Sequence, residues 1–195
     1  MLQLTAVGIV TSATPYLVTR AFKHGEGDIG TALLAMLSAT TVSVVFWAWA
    51  GRRFGERRAL LVAVLFFGAA ASLLGLAAIG SSPWNIAIAA FILAGIPFAG
   101  MQVLPFTILA HLIHAERERS SRAEGAYTGV WTAAEKLGLA LGPMATGIVL
   151  ALSQGDIVHG LTRFVATAPL LLAIVSLPLF AMKNFRVRKS TQPER

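Results

Sequence analysis

The chain has 195 residues, of which 56% are hydrophobic and only 13% are charged. Soluble domains carry about 25% charged residues, so this composition excludes an ordinary soluble domain and indicates lipid as part of the solvent. The absence of cysteine excludes a disulfide, a zinc–thiolate site and an iron–sulfur cluster. The net charge of +7 lies in short basic runs between apolar segments, which is a topology signal rather than a sign of a nucleic-acid partner.

Six apolar stretches are predicted to cross the membrane, since a spanning helix needs about 20 mostly apolar residues. Residues 59–110 contain no charge, and the turn-forming segment 80–85 divides them into two spans. Glycines and prolines in the fourth span predict a bend or local unwinding there. The fold class is therefore predicted as an all-α membrane protein of six transmembrane helices. The predicted spans are 2–19, 29–50, 59–79, 86–113, 126–152 and 164–182, followed by a basic tail, 183–195.

The distribution of the 16 Lys and Arg residues predicts the orientation. Twelve lie in the loops after the second and fourth spans and in the tail, three lie on the other side, and Lys136 lies inside a span. Basic loops stay in the cytoplasm, so both termini are predicted to be cytoplasmic, in a plasma or inner membrane. The twelve are Arg52, Arg53, Arg57, Arg58, Arg117, Arg119, Arg122, Lys183, Arg186, Arg188, Lys189 and Arg195.

Two groups of motifs resemble a known transporter superfamily. The loop Gly51-Arg-Arg-Phe-Gly-Glu-Arg-Arg58 resembles the loop between the second and third helices in each half of major facilitator superfamily transporters. More specifically, three segments resemble the glycoside–pentoside–hexuronide:cation symporters, the melibiose-carrier-like branch. They are the segment from Leu104-Pro-Phe-Thr to Arg119, the loop Arg122-Ala-Glu-Gly-Ala-Tyr127, and Lys136-Leu-Gly-Leu-Ala-Leu-Gly142. The resemblance covers essentially the whole chain, aligned to the C-terminal half of that family.

The resemblance implies a transporter rather than an enzyme, with symport of a sugar or glycoside. Na⁺ or H⁺ would be the coupling ion, and no other cofactor is implied. Two features depart from the family, which has aspartates where His111 and His114 stand and six further helices before this segment. The cation-binding carboxylates of the family belong to those six helices. We therefore expect the chain to be a fragment that lacks an N-terminal half, and the alternatives are a split gene product that needs a separate partner half and a six-helix protein that forms a homodimer.

Lys136 is the leading candidate for the solute path. It lies about ten residues, or about 15 Å, into the fifth span. A charge at that depth costs roughly 2.5–3.5 kcal/mol on insertion scales, so it normally faces a cavity or a partner. The resemblance matches Lys136 to the family lysine that lines the sugar and cation path. Its neighbour Glu135 is a poor partner for Lys136, because adjacent residues on a helix do not face each other. Glu135 is therefore either a proton-coupling acid or the partner of a helix in the other half.

Aromatic and hydroxyl side chains supply the remaining solute candidates. Tyr127, Trp131 and Thr132 follow the same helix and can stack on a sugar or bond to its hydroxyls, although interfacial anchoring and packing are the alternatives. Tyr16, at the end of the first span near Arg20, is either an extracellular gate or an interfacial anchor.

A cytoplasmic loop and gate is predicted at the basic end of the chain. Its predicted residues are Gly51, Arg52, Arg53, Gly55, Arg57, Arg58, His111 and His114. His111 and His114 share a helix face, but with Glu116 they offer too few ligands in register for us to predict a metal site.

Other functions remain open at this stage. A lipid or drug is the alternative to a sugar as the solute, and a non-transporting six-helix protein or relic is the alternative to a transporter. An intramembrane serine protease is disfavoured, because the candidate residues Ser81, Ser82 and His159 lie in predicted loops rather than at membrane depth.

Overall fold

The computed structural model describes residues 2–80, 82–117, 123–153 and 156–181, and this part of the chain is all-helical. Six helices are long and apolar enough to cross a membrane, which confirms the predicted fold class. A π-helical turn, Leu17–Ala21, extends the first helix. The helices are α1 (Leu2–Tyr16), α2 (Glu26–Phe54), α3 (Glu56–Ile79), α4 (Trp84–Arg117), α5 (Ala123–Leu152) and α6 (Ile157–Ala181). The tail, 183–195, lies outside the described residues.

The helices extend beyond the apolar stretches from which the spans were predicted. Helix α2 begins at Glu26 and continues through Arg52 and Arg53, and α6 begins at Ile157, inside the predicted loop 153–163. A helix satisfies its own backbone hydrogen bonds whatever its side chains, so charged residues can continue it into the headgroup region.

Helix α4 runs without interruption through Pro97 and Pro105, so of the two alternatives predicted for the fourth span local unwinding is wrong, and a bend stays a prediction. Side chains of α2 support α4 around Pro97. The indole Nε1 of Trp47 donates to the carbonyl of Ile96 at 2.7 Å, and the hydroxyl of Thr40 donates to the carbonyl of Gly95 at 3.0 Å. Such bonds from a neighbouring helix let a spanning helix tolerate proline.

The helices pack mainly as α2 on α4, α3 on α4 and α6, and α1 on α5 and α6. The core between them consists of apolar side chains, with the largest fully buried ones including Leu17, Phe67, Phe91 and Leu104. Polar contacts are few but lie at helix crossings. The hydroxyl of Ser72 in α3, for example, donates to the carbonyl of Ala166 in α6 at 2.6 Å.

Helices α1 and α5 approach each other most closely at two glycines. A Cβ on Gly8 would lie 3.0 Å from the carbonyl oxygen of Leu139, and a Cβ on Gly142 would overlap the backbone of Gly8. One turn further along both helices, the hydroxyl of Ser12 donates to that of Thr146 at 2.9 Å. Both contacts advance by four residues on each helix, so α1 and α5 run parallel in one register.

Two helices remain largely uncovered. In the most apolar part of α2 only 11% of residues are buried, and in α5 only 17%, against 56% in α1 and α3 and 50% in α4. The candidate site residues of the fifth span therefore lie on a helix that the rest of the described chain covers on one side only.

Candidate functional site

Helix α5 carries three distinct faces, because residues spaced by four, seven and eleven positions share a side of a helix. We call them the inner face, the small face and the bulky face. The inner face is Trp131, Glu135, Gly138 and Gly142, the small face is Gly129, Thr132, Lys136 and Gly147, and the bulky face is Leu137, Leu141, Met144 and Ile148.

The inner face packs against the rest of the chain. Gly138 and Gly142 are buried, and Gly142 contacts α1. Trp131 is half-buried, and its ring meets that of Phe106 in α4 edge to face, with centroids 5.8 Å apart. Its indole Nε1 is buried and has no hydrogen-bond acceptor among the described residues. Glu135, one turn further along, is also half-buried. This face thus holds an unpaired donor and a carboxylate one turn apart.

The small face is open. Lys136 and Thr132 are exposed, and a Cβ added to Gly129 or Gly147 would meet no atom within 4 Å. The apolar span of α5 begins at Thr128, so Lys136 lies about 12 Å into it at 1.5 Å per residue. Within the described ranges, Lys136 forms no ion pair with Glu135 or with any other carboxylate. The ammonium group therefore lies at membrane depth without a counter-charge from this part of the chain.

The bulky face is also exposed but is lined by large apolar side chains. Leu137, Met144 and Ile148 are each more than half exposed, at 56%, 57% and 52%. Two exposed sides of one helix therefore differ in side-chain size and polarity, which sequence hydropathy alone does not distinguish.

Tyr16 does not join the other solute candidates. In the register set by Gly8 and Gly142, Tyr16 in α1 is level with Leu150 in α5. That level is 14 residues, or about 20 Å, from Lys136 along the helix axis. Tyr16 is 42% exposed and ends α1, just before the π-helical turn. Its predicted gate role stays a prediction, but at a separate level of the molecule.

The predicted cytoplasmic loop forms a one-residue connection between α2 and α3. Gly55 alone separates the two helices, at a φ of 89° that a residue with a side chain rarely adopts. Gly51 is buried, and a Cβ there would clash with the side chain of Leu104 in α4. The arginines Arg52, Arg53, Arg57 and Arg58 are exposed around this connection, which we call the basic end.

His111 of α4 reaches the basic end. Its Nδ1 lies 3.3 Å from a carboxylate oxygen of Glu56, the first residue of α3. This contact ties α4 to the start of α3. The sequence did not single out Glu56, which follows two arginines and a glycine in a motif dominated by its basic residues. The gate role of His111 and of the surrounding loop remains a prediction.

Two predicted residues cannot be placed in the site. The side chains of Tyr127 and His114 lie outside the described residues. The sequence missed Ser12 and Thr146, which join α1 to α5, and Phe106 of α4, which is half exposed and contacts the ring of Trp131. The signal for Ser12 and Thr146 was their hydroxyl groups within otherwise apolar spans.

Three comparisons with known proteins address the family to which the chain belongs. The family model described as MFS/sugar transport protein matches residues 1–185 of the chain. No match was found among the curated proteins or among the solved structures. The match confirms the superfamily suggested by the sequence motifs, whereas the symporter branch stays a prediction. With this match and six helices among the described residues that are apolar enough to cross a membrane, the chain belongs to the MFS/sugar transport protein family of integral membrane proteins.

Proposed function

We propose that the chain is the C-terminal half of a secondary active transporter that carries a sugar or glycoside together with Na⁺ or H⁺. The observation that supports this most directly is Lys136, exposed on the small face of α5 and unpaired among the described residues. A charged residue inside a spanning helix normally faces a water-filled path or a partner.

The composition of the small face argues that lipid is not its neighbour. Helices that meet in a membrane do so through small residues, and Gly129 and Gly147 on this face have open space in front of them. The bulky face, with Leu141 and Met144, suits acyl chains instead. We therefore assign the small face to a solute path or to a second set of helices, and the bulky face to lipid.

A sugar on the small face would lie beside Trp131 and Glu135 of the inner face, which directly precede Thr132 and Lys136 of the small face. The buried indole Nε1 of Trp131 needs an acceptor, and the carboxylate of Glu135 needs a donor. A sugar hydroxyl can serve as both donor and acceptor, and the aromatic rings of Trp131 and Phe106 can contact its apolar face. Thr132 offers a further hydroxyl on the small face.

The partner in this proposal is a second six-helix unit, either an N-terminal half or a second copy. Transporters of this type hold their substrate near the midplane between two related halves. The open small face of α5, a helix largely uncovered by the described residues, supplies the surface that such a unit would meet. It would also supply carboxylates that neutralise Lys136 and hold the coupling ion, with Glu135 as this chain's own candidate for proton coupling.

Uptake of radiolabelled galactosides into cells producing the native protein tests this function. We expect uptake driven by a Na⁺ or H⁺ gradient. Lys136→Ala should abolish it, whereas Lys136→Arg, which keeps the charge, should retain part of it. The matched control is Leu137→Ala, the next residue but on the bulky face, which should transport normally. Normal uptake by Lys136→Ala would refute the assigned role of Lys136.

The native mass of the protein tests the partner. An antibody against the tail, 183–195, should detect a band at about twice the 20.6 kDa of this chain in its own membrane. A band at 20.6 kDa would instead favour a homodimer or a separately encoded half, which crosslinking in the same membrane would distinguish.

A further inference from the structure

The end of α2 carries an exposed stripe of side chains that the proposed transport path does not use. Val42, Phe46, Trp49 and Arg53 follow the spacing i, i+4, i+7, i+11 and so share one face of the helix. The rings of Phe46 and Trp49 lie 6.1 Å apart, and those of Trp49 and Phe54 lie 5.8 Å apart. We call Phe46, Trp49 and Phe54 the aromatic stripe.

The aromatic stripe faces away from the rest of the chain. Its three rings are 52%, 49% and 58% exposed, and Val42 in the preceding turn is 78% exposed. The buried side of α2 packs on α4, where Met36 and Trp47 of α2 fit against the glycines Gly95 and Gly100 of α4. Since membrane helices associate through small residues, the large protruding rings suit acyl chains better than another helix.

Exposed arginines lie beside the aromatic stripe at the C-terminal end of α2. Arg53 lies on the stripe itself, Arg52 is the preceding residue, and Arg58 lies in the first turn of α3 just beyond Gly55. All three are exposed, and none has an ion pair or hydrogen bond to another described residue. The nearest carboxylate along the chain, Glu56, contacts His111 and forms no ion pair with these three arginines. The three guanidinium groups therefore have no ion-pair partner in the described part of the chain.

We propose that the basic end of α2 binds an anionic phospholipid. Its phosphate contacts Arg53 together with Arg52 and Arg58, and its acyl chain lies along the aromatic stripe. A guanidinium donates two parallel hydrogen bonds to a phosphate, which makes arginine well suited to this contact. Aromatic rings are favoured at the boundary between headgroups and acyl chains, where the stripe ends. The site is independent of which solute the protein carries.

Quenching of tryptophan fluorescence by brominated lipids tests this site. The 195-residue chain is reconstituted in phosphatidylcholine vesicles that contain either brominated phosphatidylglycerol or brominated phosphatidylcholine. The signal of Trp49 is the difference between the wild type and Trp49→Phe. We expect Trp49 to be quenched more by phosphatidylglycerol. Each arginine near an anionic headgroup strengthens the preference about fivefold, and raised salt should weaken it.

Variants identify the residues responsible. Arg52→Ala, Arg53→Ala and Arg58→Ala together should remove the preference, whereas Arg163→Ala, at the opposite end of the molecule, should leave it unchanged. Equal quenching of Trp49 by both lipids in the wild type would overturn the proposal, because the site would then not select the headgroup. Absence of quenching by either lipid would also overturn it and would show that protein, either a partner half or a second copy, covers the stripe.

Discussion

Helices α2 and α3 are joined by a single residue and are both strongly apolar, yet they lie in different surroundings. In the most apolar part of α3, 56% of residues are buried, against 11% in α2. The buried positions of α3 are dominated by glycine and alanine, whereas α2 directs large side chains such as Leu34, Val45 and Phe46 outward. Hydropathy thus identifies a spanning helix, but side-chain size decides whether its faces meet protein or lipid.

The strongest test of this contrast uses two glycines of α5. Gly142→Leu should separate α1 from α5, because the two backbones touch there. We expect a loss of about 3 kcal/mol in the free energy of unfolding, the upper range for overpacking. Gly147→Leu places the same side chain in open space and should leave stability in detergent unchanged. Thermal unfolding of the purified variants checks both, and equal melting temperatures would contradict the close contact.

Two tryptophans of α2 provide the next comparison. Trp47 is buried and donates its indole N–H to the carbonyl of Ile96, whereas Trp49 is half exposed. Trp47→Phe should lower the free energy of unfolding by about 1 kcal/mol for the lost hydrogen bond, with a further loss of packing. Trp49→Phe in detergent should stay within about 0.5 kcal/mol of the wild type. Chemical denaturation in one detergent gives both values, and a larger loss for Trp49→Phe would reverse the assignment of faces.

A serine pair gives a smaller effect. Ser72→Ala removes the interhelical hydrogen bond to Ala166, and bonds of this kind contribute about 0.6 kcal/mol in membrane proteins. Ser38→Ala, on the exposed side of α2, should change nothing measurable. The difference between the two unfolding free energies is the measured quantity, and a value of zero would mean that the hydroxyl of Ser72 finds an equal partner elsewhere.

The smallest expected effect on stability concerns the exposed residues Asp156 and His159 at the start of α6. Asp156 accepts the backbone N–H of His159, and its side chain bonds to the His159 ring at 2.8 Å. These hydrogen bonds from His159 lower the pKa of Asp156 from its ordinary value of 3.8. A lowered pKa in the folded state stabilises the protein above the unfolded value, and this contribution is lost as the pH falls through the folded pKa.

The corresponding measurement is the melting temperature between pH about 5 and pH about 3, the range in which aspartate titrates. The wild type should lose slightly more stability over this interval than Asp156→Asn, which keeps an acceptor for the helix start but does not titrate. Because Asp156 is exposed to solvent, the difference should be the smallest of the four. Identical pH profiles would show that the contact with His159 does not persist in solution.

Much of the fold follows from local sequence. Gly80 and Pro83 predict a break within a long apolar segment, and α3 indeed ends at Ile79 while α4 begins at Trp84. The extension of α6 over His159 and Arg163 does not follow from the sequence, because the charged residues there predict the end of a span. In physical terms, the limits of an apolar stretch report where lipid begins, not where backbone hydrogen bonding stops.

The candidate site followed from the sequence only in part. A lysine within a span marks a functional position by its cost, and this argument needs no structure. Which of Glu135 and Lys136 faces the other helices depends on where Gly8 of α1 meets Gly142 of α5. The spacing of Gly138 and Gly142 indicates a close approach of some helix, but the sequence does not identify Gly8 as the partner. The separation of Tyr16 from Lys136 likewise depends on the parallel register of those two helices.

The single-residue connection at Gly55 also has a mechanical consequence. One residue spans at most about 3.6 Å, so the end of α2 and the start of α3 cannot move apart. The contact between Glu56 and His111 extends this restraint to α4. A displacement of the basic end of α2 therefore moves the start of α3 and, through His111, the adjoining part of α4. The three helices are expected to move together at this end.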